Sequence, residues 1–260
     1  MKGTVPAANV SVRHFLQVTL MSSEESYLAN YDASRYPTPI VTVDSVLFTL
    51  YHQQLCVLLV KRANHPHLGR WGLPGGFIDL QHDDSVKATA MRKLQEKTGV
   101  TPPWLEQLET FSGAQRDPRG WSLTTAWYAL IAAESCHVQS EDVSDVQWQP
   151  VAELHQRNDL AFDHPQIIAT ALQRLRQKTL YSLLPVYCLP TAFTLTQLQE
   201  VTETILGRPI QRKSLIRRFD AADMFEETGD SVATGARKAK LYRLKAGADI
   251  RNFSRNLMTD

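Results

Sequence analysis

The sequence predicts an α+β protein: a sheet-forming region with flanking helices, then a smaller unit built on a helix–turn–helix. Three observations carry this expectation. Runs rich in β-branched and aromatic residues recur between residues 40 and 150. Two helical patterns with one apolar face lie among and after those runs. Beyond residue 190, two short helical patterns joined by a Gly and a Pro precede a pair of strand-like runs.

The elements follow in order. Residues 22–31, SSEESYLANY, open with Ser22 and Glu25 in capping-box spacing and predict a short helix that YPTPI ends. Ile40 to Tyr51 reads as a strand, HQQ as a turn, and LCVLLVKR as a second, buried strand, giving a hairpin. HPHLGRWGLPGGF is dense in Gly and Pro and reads as a loop. Asp83 or Asp84 is placed to cap a helix from about Ser85 to Thr98, which Gly99 ends. Val86, Ala90 and Leu94, with Met91 beside them, mark its inner side. LEQLETF, SLTTAWYALIAA and DVQWQP are further strands, and VAEL is a turn of helix. A long helix begins near Pro165, with Ile167, Ile168, Ala171, Leu172 and Leu175 as its apolar stripe. LLPVYCLP, residues 183–190, carries two prolines and marks a boundary. The expected organisation is an N-terminal segment, 1–35, a domain over 36–183 and a domain over 184–260. Thr194 and Gln197 form another capping box, on a helix that ends at Gly207. RPI turns, and a second helix runs from about Gln211 to Phe219. MFEETGDSVATGARKAKLYRL fits two strands around a Gly-containing basic tip.

Apolar residues are 43% and charged residues 21% of the chain, enough to bury a core without staples. Cys56, Cys136 and Cys188 are odd in number and widely spaced, like neither a disulfide framework nor a zinc site. Cys56 reads as a small core hydrophobe. No apolar run approaches the roughly 18 residues of a membrane span. The first residues lack the apolar block of a signal peptide, and a cytoplasmic location is expected. Residues 1–189 hold 16 basic and 18 acidic residues, whereas 190–260 hold 12 and 9. Within 207–218 stand Arg208, Arg212, Lys213, Arg217 and Arg218 with no acid. Such a stripe suits a nucleic-acid contact or a solvated helix face.

Residues 71–100, WGLPGGFIDLQHDDSVKATAMRKLQEKTGV, resemble the Nudix box. That pattern is a Gly, a Glu six later, then Arg-Glu-aliphatic-x-Glu-Glu-x-Gly-aliphatic. Gly76, Arg92, Leu94, Glu96, Gly99 and Val100 match it, and Asp84 takes the place of the early Glu across a slightly longer loop. Lys93 and Lys97 stand where the family has Glu. RDPRGWSLTTAWYALI, from Arg116, and LAFDHPQII are similar to segments of Nudix proteins acting on ADP-ribose and related nucleotides. Together with a C-terminal winged helix, they resemble the NrtR family of Nudix-related transcriptional regulators of NAD metabolism. The resemblance spans about residues 36–245. It implies a Nudix-like mixed sheet followed by a winged helix-turn-helix domain. It also implies a homodimer acting on a double-stranded DNA operator, with ADP-ribose as effector rather than as cofactor.

A working Nudix site holds magnesium through carboxylate oxygens of this helix. Positions 93, 96 and 97 face one way. Two lysines there remove ligands and repel a dication, and Glu96 alone is a poor magnesium site. The expectation is no catalytic residue, no metal and a protein that is not an enzyme, with residual hydrolysis left open. The lysines either attract a diphosphate or are merely solvated. Arg92 and Glu96 are spaced to pair. Gly75 and Gly76 permit close backbone approach to a ligand. Arg116 and Arg119 suit bidentate phosphate contact or a structural salt bridge. Trp71 and Phe77 suit stacking on adenine or plain packing, and His164 a helix cap. The expected effector set is therefore Gly75, Gly76, Phe77, Arg92, Lys93, Glu96, Lys97, Arg116 and Arg119. On the second helix of the helix–turn–helix, Gln211, Arg212, Lys213 and Ser214 are placed for base edges. Leu215, Ile216 and Phe219 are expected to face the core. Arg208, Arg217 and Arg218 are placed for phosphates, and Arg237, Lys238 and Lys240 for the wing. Two other readings stay open: an active hydrolase of ADP-ribose-like substrates carrying an interaction module, and a scaffold that does not bind DNA.

Overall fold

A computed structural model describes residues 23–133, 140–234, 237–248, 250 and 252–257. Ser22, Cys136 and the side chain of Arg237 lie outside the described residues. Residues 1–38 and 39–260 form two units. In the first, a helix over residues 23–29 (α1) precedes a 3-10 turn, Ala33–Arg35, capped by the Asp32 carboxylate on the Ser34 N–H.

In the second unit, β1 (Ile40–Tyr51) and β2 (Gln54–Arg62) form the expected hairpin. His52 and Gln53 make its two-residue turn, both at positive φ. The Gly-rich stretch expected to be a loop contains two short strands, β3 (Trp71–Gly72) and β4 (Gly75–Phe77). Their Gly and Pro content hides them from a propensity reading, since sheet partners rather than side chains fix them. Next come α2 (Val86–Thr98), β5 (Glu106–Gly113), β6 (Ser122–Leu130), β7 (Val143–Pro150) and α3 (His164–Tyr181). Ser85, not Asp83 or Asp84, caps α2, its hydroxyl accepting from the Ala88 N–H at 3.1 Å. Gly99 closes the helix in the left-handed conformation.

The seven strands make one mixed sheet ordered β3-β2-β1-β6-β5, with β4 on β1 and β7 on β2. β1 is parallel to β6 and antiparallel to β2 and β4. Alternate residues of β1 face opposite ways. Val43 and Leu47 meet Ala90 and Leu94 of α2. Val46 and Phe48 meet Ile167, Ile168, Ala171 and Leu175 of α3. The sheet is thus sandwiched between two helices. β1 pairs with β2 only over Phe48–Tyr51, and over Thr42–Asp44 it pairs with β4 instead. The two strands part there and open a wedge.

Residues 183–188 form a largely buried joint, and Pro190 is exposed. In the 3-10 helix Leu184–Cys188, Leu184 and Cys188 belong to the sheet core and Val186 to the core that follows. The C-terminal part holds α4 (Leu195–Leu206), α5 (Arg212–Ala222) and the hairpin β8 (Phe225–Thr234) and β9 (Arg237–Leu244). The Thr194–Gln197 capping box and the left-handed Gly207 cap are both present on α4. Among the described residues no helix is long and apolar enough to cross a membrane.

Candidate functional site

The wedge between β1 and β2 is a cavity of about 170 Å³. Its walls are Thr42 and Asp44 of β1, Val60 and Arg62 of β2, the Gly75–Phe77 strand, Lys93 and Lys97 of α2, and the loop around Arg116 to Arg119. A second cleft, lined by Gln115, Pro118 and Gly120 among others, shares Arg116, Asp117 and Phe162 with it. Of the expected effector residues, Gly75, Gly76, Phe77, Lys93, Lys97, Arg116 and Arg119 line the cavity.

Arg92 and Glu96 do not line it. Arg92 donates to Asp83 at 2.7 Å and to Glu96 at 2.8 Å, closing α2 onto the preceding turn. Asp83 also accepts from Thr89, so its role is to clamp the helix start. Arg92 beside it holds its carboxyl well below the usual carboxylate range. Lys93 reaches back to Glu96 at 2.8 Å. Lys97 is buried and pairs with Asp142 at 2.7 Å. Burial pushes the Asp142 carboxyl up, but hydrogen bonds from Lys97 and Ser140 outweigh it and leave it low.

Arg116 makes a bidentate salt bridge to Asp163, both distances 2.9 Å. Arg119 holds Asp117 in the same way and lies over the Phe77 ring, 5.2 Å from its centroid. Both arginines are already neutralised by an acid. Trp71 is buried in the sheet core, which is the packing role. Gly75 is small for an internal reason: a Cβ there would stand 2.2 Å from the Val43 carbonyl oxygen. Gly76 has φ of 156° and lies against the Lys93 side chain.

Sequence reasoning passed over Asp44, Arg62, Asp117, Asp142 and the inward role of His164. Asp44 was legible as a lone acid in an apolar strand. It is 8% exposed, and burial raises its pKa. His164 begins α3 and is buried rather than capping the helix. Its Nδ1 accepts the Leu73 N–H at 2.9 Å, so the neutral ring carries its proton on Nε2, 3.6 Å from Asp44. Burial lowers its pKa and keeps it neutral. Arg62 donates to the Pro66 carbonyl at 2.8 Å and lies over Phe162.

On the winged helix, Arg208, Gln211, Arg212, Lys213, Arg217, Lys238 and Lys240 are exposed. Arg212 donates to Gln199 at 2.8 Å, and Lys240 pairs with Glu227 at 3.0 Å. Two expected DNA contacts are buried: Ser214 at 8% and Arg218 at 5% exposure. Ile216, expected inside, is half-buried and shares the outer face with Lys213 and Arg217. The reason is helical phase. The buried positions are 214, 215, 218, 219 and 222, a stripe that runs through Arg218 and misses Ile216.

This architecture has known relatives. Residues 39–171 match the NUDIX domain family and residues 185–244 the NrtR DNA-binding winged helix domain. The ADPR responsive transcriptional repressor NtrR of Acinetobacter baylyi is 42% identical over 236 residues, 91% of this chain and 94% of the relative. The chain belongs to the NrtR family. The NrtR of Shewanella oneidensis, solved in complex with a 27mer DNA, is 51% identical with a TM-score of 0.76, covering 84% of this chain and 99% of that one. Its NUDIX domain, solved with ADP ribose, is 53% identical over 58% of this chain and 98% of that one, with a TM-score of 0.57.

The Nudix relationship brings the question of magnesium to the α2 face. The residues of this NrtR-family chain do not fit that ion. Positions 93 and 97 present ammonium groups, held by Glu96 and Asp142, and Glu96 is the one box carboxylate left on that face. Among the described residues no group of three or more His, Cys, Asp or Glu side chains could hold a metal ion. Hard oxygen ligands in octahedral array are what magnesium requires.

Proposed function

We propose that the chain is a DNA-binding repressor of NAD-metabolism genes whose Nudix domain binds ADP-ribose, or a close relative of it, without serving as a hydrolase. The observation that carries this reading is one chain joining two features. One is a cavity whose box helix offers lysines in place of metal-binding glutamates. The other is a winged helix with an exposed cationic face. The A. baylyi and S. oneidensis relatives support it. The two clefts that meet at Arg116 give room for an extended dinucleotide-like ligand to lie across both. Its diphosphate meets Arg62 and the two lysines, and Asp44 accepts from a ligand hydroxyl or amine at the floor. The protein works as a cytoplasmic homodimer, because a two-fold protein matches a two-fold operator.

The test is fluorescence anisotropy on an operator duplex with and without saturating ADP-ribose. The expected result is a change in DNA affinity of at least about fivefold, in the range of ordinary coupling energies. Equal affinity in both conditions removes the effector role. Incubation of ADP-ribose with the protein and magnesium is expected to release no AMP. Turnover abolished by Glu96→Gln would restore the hydrolase reading.

A further inference from the structure

Of the charged side chains on α5, Arg218 alone is buried. One of its nitrogens donates to the Leu180 carbonyl at 2.8 Å, and another to the Arg255 carbonyl. The guanidinium also lies over Phe253, 5.0 Å from the ring centroid. Leu180 belongs to the last turn of α3. Carbonyls at a helix C-terminus lack intrahelical partners and form the negative end of the dipole, so a cation there acts as a cap. The Leu257 N–H reaches the same Leu180 carbonyl at 2.7 Å, and the Phe253 N–H reaches that of Tyr181 at 2.6 Å. The end of α3 is therefore closed by α5 and the C-terminal tail. A second arginine ties α3 to the neighbouring helix: Arg176 of α3 donates to the Ile205 carbonyl in the last turn of α4, at 3.1 Å.

The other end of α3 stands at the cavity. Asp163, at its N-cap position, is the bidentate partner of Arg116, and His164 holds Leu73. Between the two ends the helix is about 27 Å long. Ile167, Ile168, Ala171 and Leu175 bury its inner face, and a helix so packed shifts as one body. The buried stripe of α5 would accept a methionine at 218 with less desolvation cost than an arginine. What only the guanidinium does is join α5 to the α3 carbonyl.

We propose that Arg218 is a positioning residue that hangs the DNA-reading helix from α3, so that ligand at the Arg116–Asp163 end reaches α5 as a movement of the whole α3 helix. This rests on the reading of the cavity as an effector site and of α5 as the DNA-reading helix. Full-length wild type, Arg218→Met and Arg218→Lys are compared by calorimetry with ADP-ribose and by anisotropy on operator DNA with and without it. Arg218→Met is expected to keep ADP-ribose affinity within about twofold, while the ligand-induced change in DNA affinity falls toward unity. Arg218→Lys, which keeps the charge and a donor, restores part of that change. A wild-type response in Arg218→Met overturns the role of Arg218 and leaves the proposed function standing. A wild type that binds ADP-ribose with no change in DNA affinity overturns both. Hydrogen exchange on the wild type covers the case in which Arg218→Met does not fold. ADP-ribose is expected to alter protection of the Phe253 and Leu257 amides several-fold. Unaltered protection alongside a shifted DNA affinity overturns the proposal.

Discussion

Lys97 and Asp142 show how a single exchange changes the work of a site. A glutamate at 97 would face Asp142 at ion-pair distance, whereas the lysine is neutralised by it. On the proposed function, a diphosphate entering the cavity competes with Asp142 for that ammonium. Asp142→Asn is therefore expected to tighten ADP-ribose binding about threefold, and Lys97→Met to weaken it about tenfold, both by calorimetry. The same pair has a pH signature. The folded-state pKa of Asp142 is depressed, so its stabilisation is complete above the unfolded value near 3.9 and is lost as pH falls through the lower folded value. Denaturant titrations of wild type and Asp142→Asn are expected to show a stability gap near pH 6 that closes in acid, as pH falls below the ordinary carboxylate range. A gap that persists in acid assigns the difference to packing. The carboxylate is partly exposed, which limits the gap to about 1 kcal/mol.

At the scale of elements, short glycine-bearing strands and helical phase decide the outcome. β4 exists because Gly75 lets it lie against Val43, and Gly75→Ala is expected to cost about 2 kcal/mol in thermal or chemical denaturation. An unaltered midpoint would mean that β4 pairing does not depend on that approach. On α5 the exposed stripe holds Lys213 and Arg217, not Arg218. Arg217→Ala is expected to weaken binding to all duplexes alike and to reduce the slope of log affinity against log salt by about one. A loss confined to one sequence would instead place Arg217 at a base edge. Composition alone gave 207–218 as a cationic run; it could not rank the arginines, because facing depends on where the buried stripe falls.

For the molecule as a whole, the cavity proposed for the effector and the helix proposed to read DNA both touch α3, the first through His164 at its start and the second through the Leu180 carbonyl at its end. Under the proposed function, any coupling between ligand and DNA affinities carries one factor in both directions. Whatever factor ADP-ribose imposes on operator affinity, saturating operator is expected to impose on ADP-ribose affinity. Unequal factors would show that a third state or a change of oligomer takes part. The prolines of 183–190 suggested a boundary, yet the segment is apolar and packs into both cores. Prolines at a 3-10 turn limit the backbone without exposing it.

The sequence by itself determined the strands with β-branched runs, α2 with its Gly99 cap, the Thr194–Gln197 capping box and the altered carboxylate pattern of the box helix. Each of these is written in local spacing, where a side chain acts on backbone within a turn or on the next pleat. Tertiary structure alone decided that Lys97 is paired with Asp142, that Asp44 and His164 meet at the cavity, and that Arg218 turns inward to the end of α3. Their partners lie in distant segments of the chain, and which charge finds which partner is set by packing that local spacing does not encode.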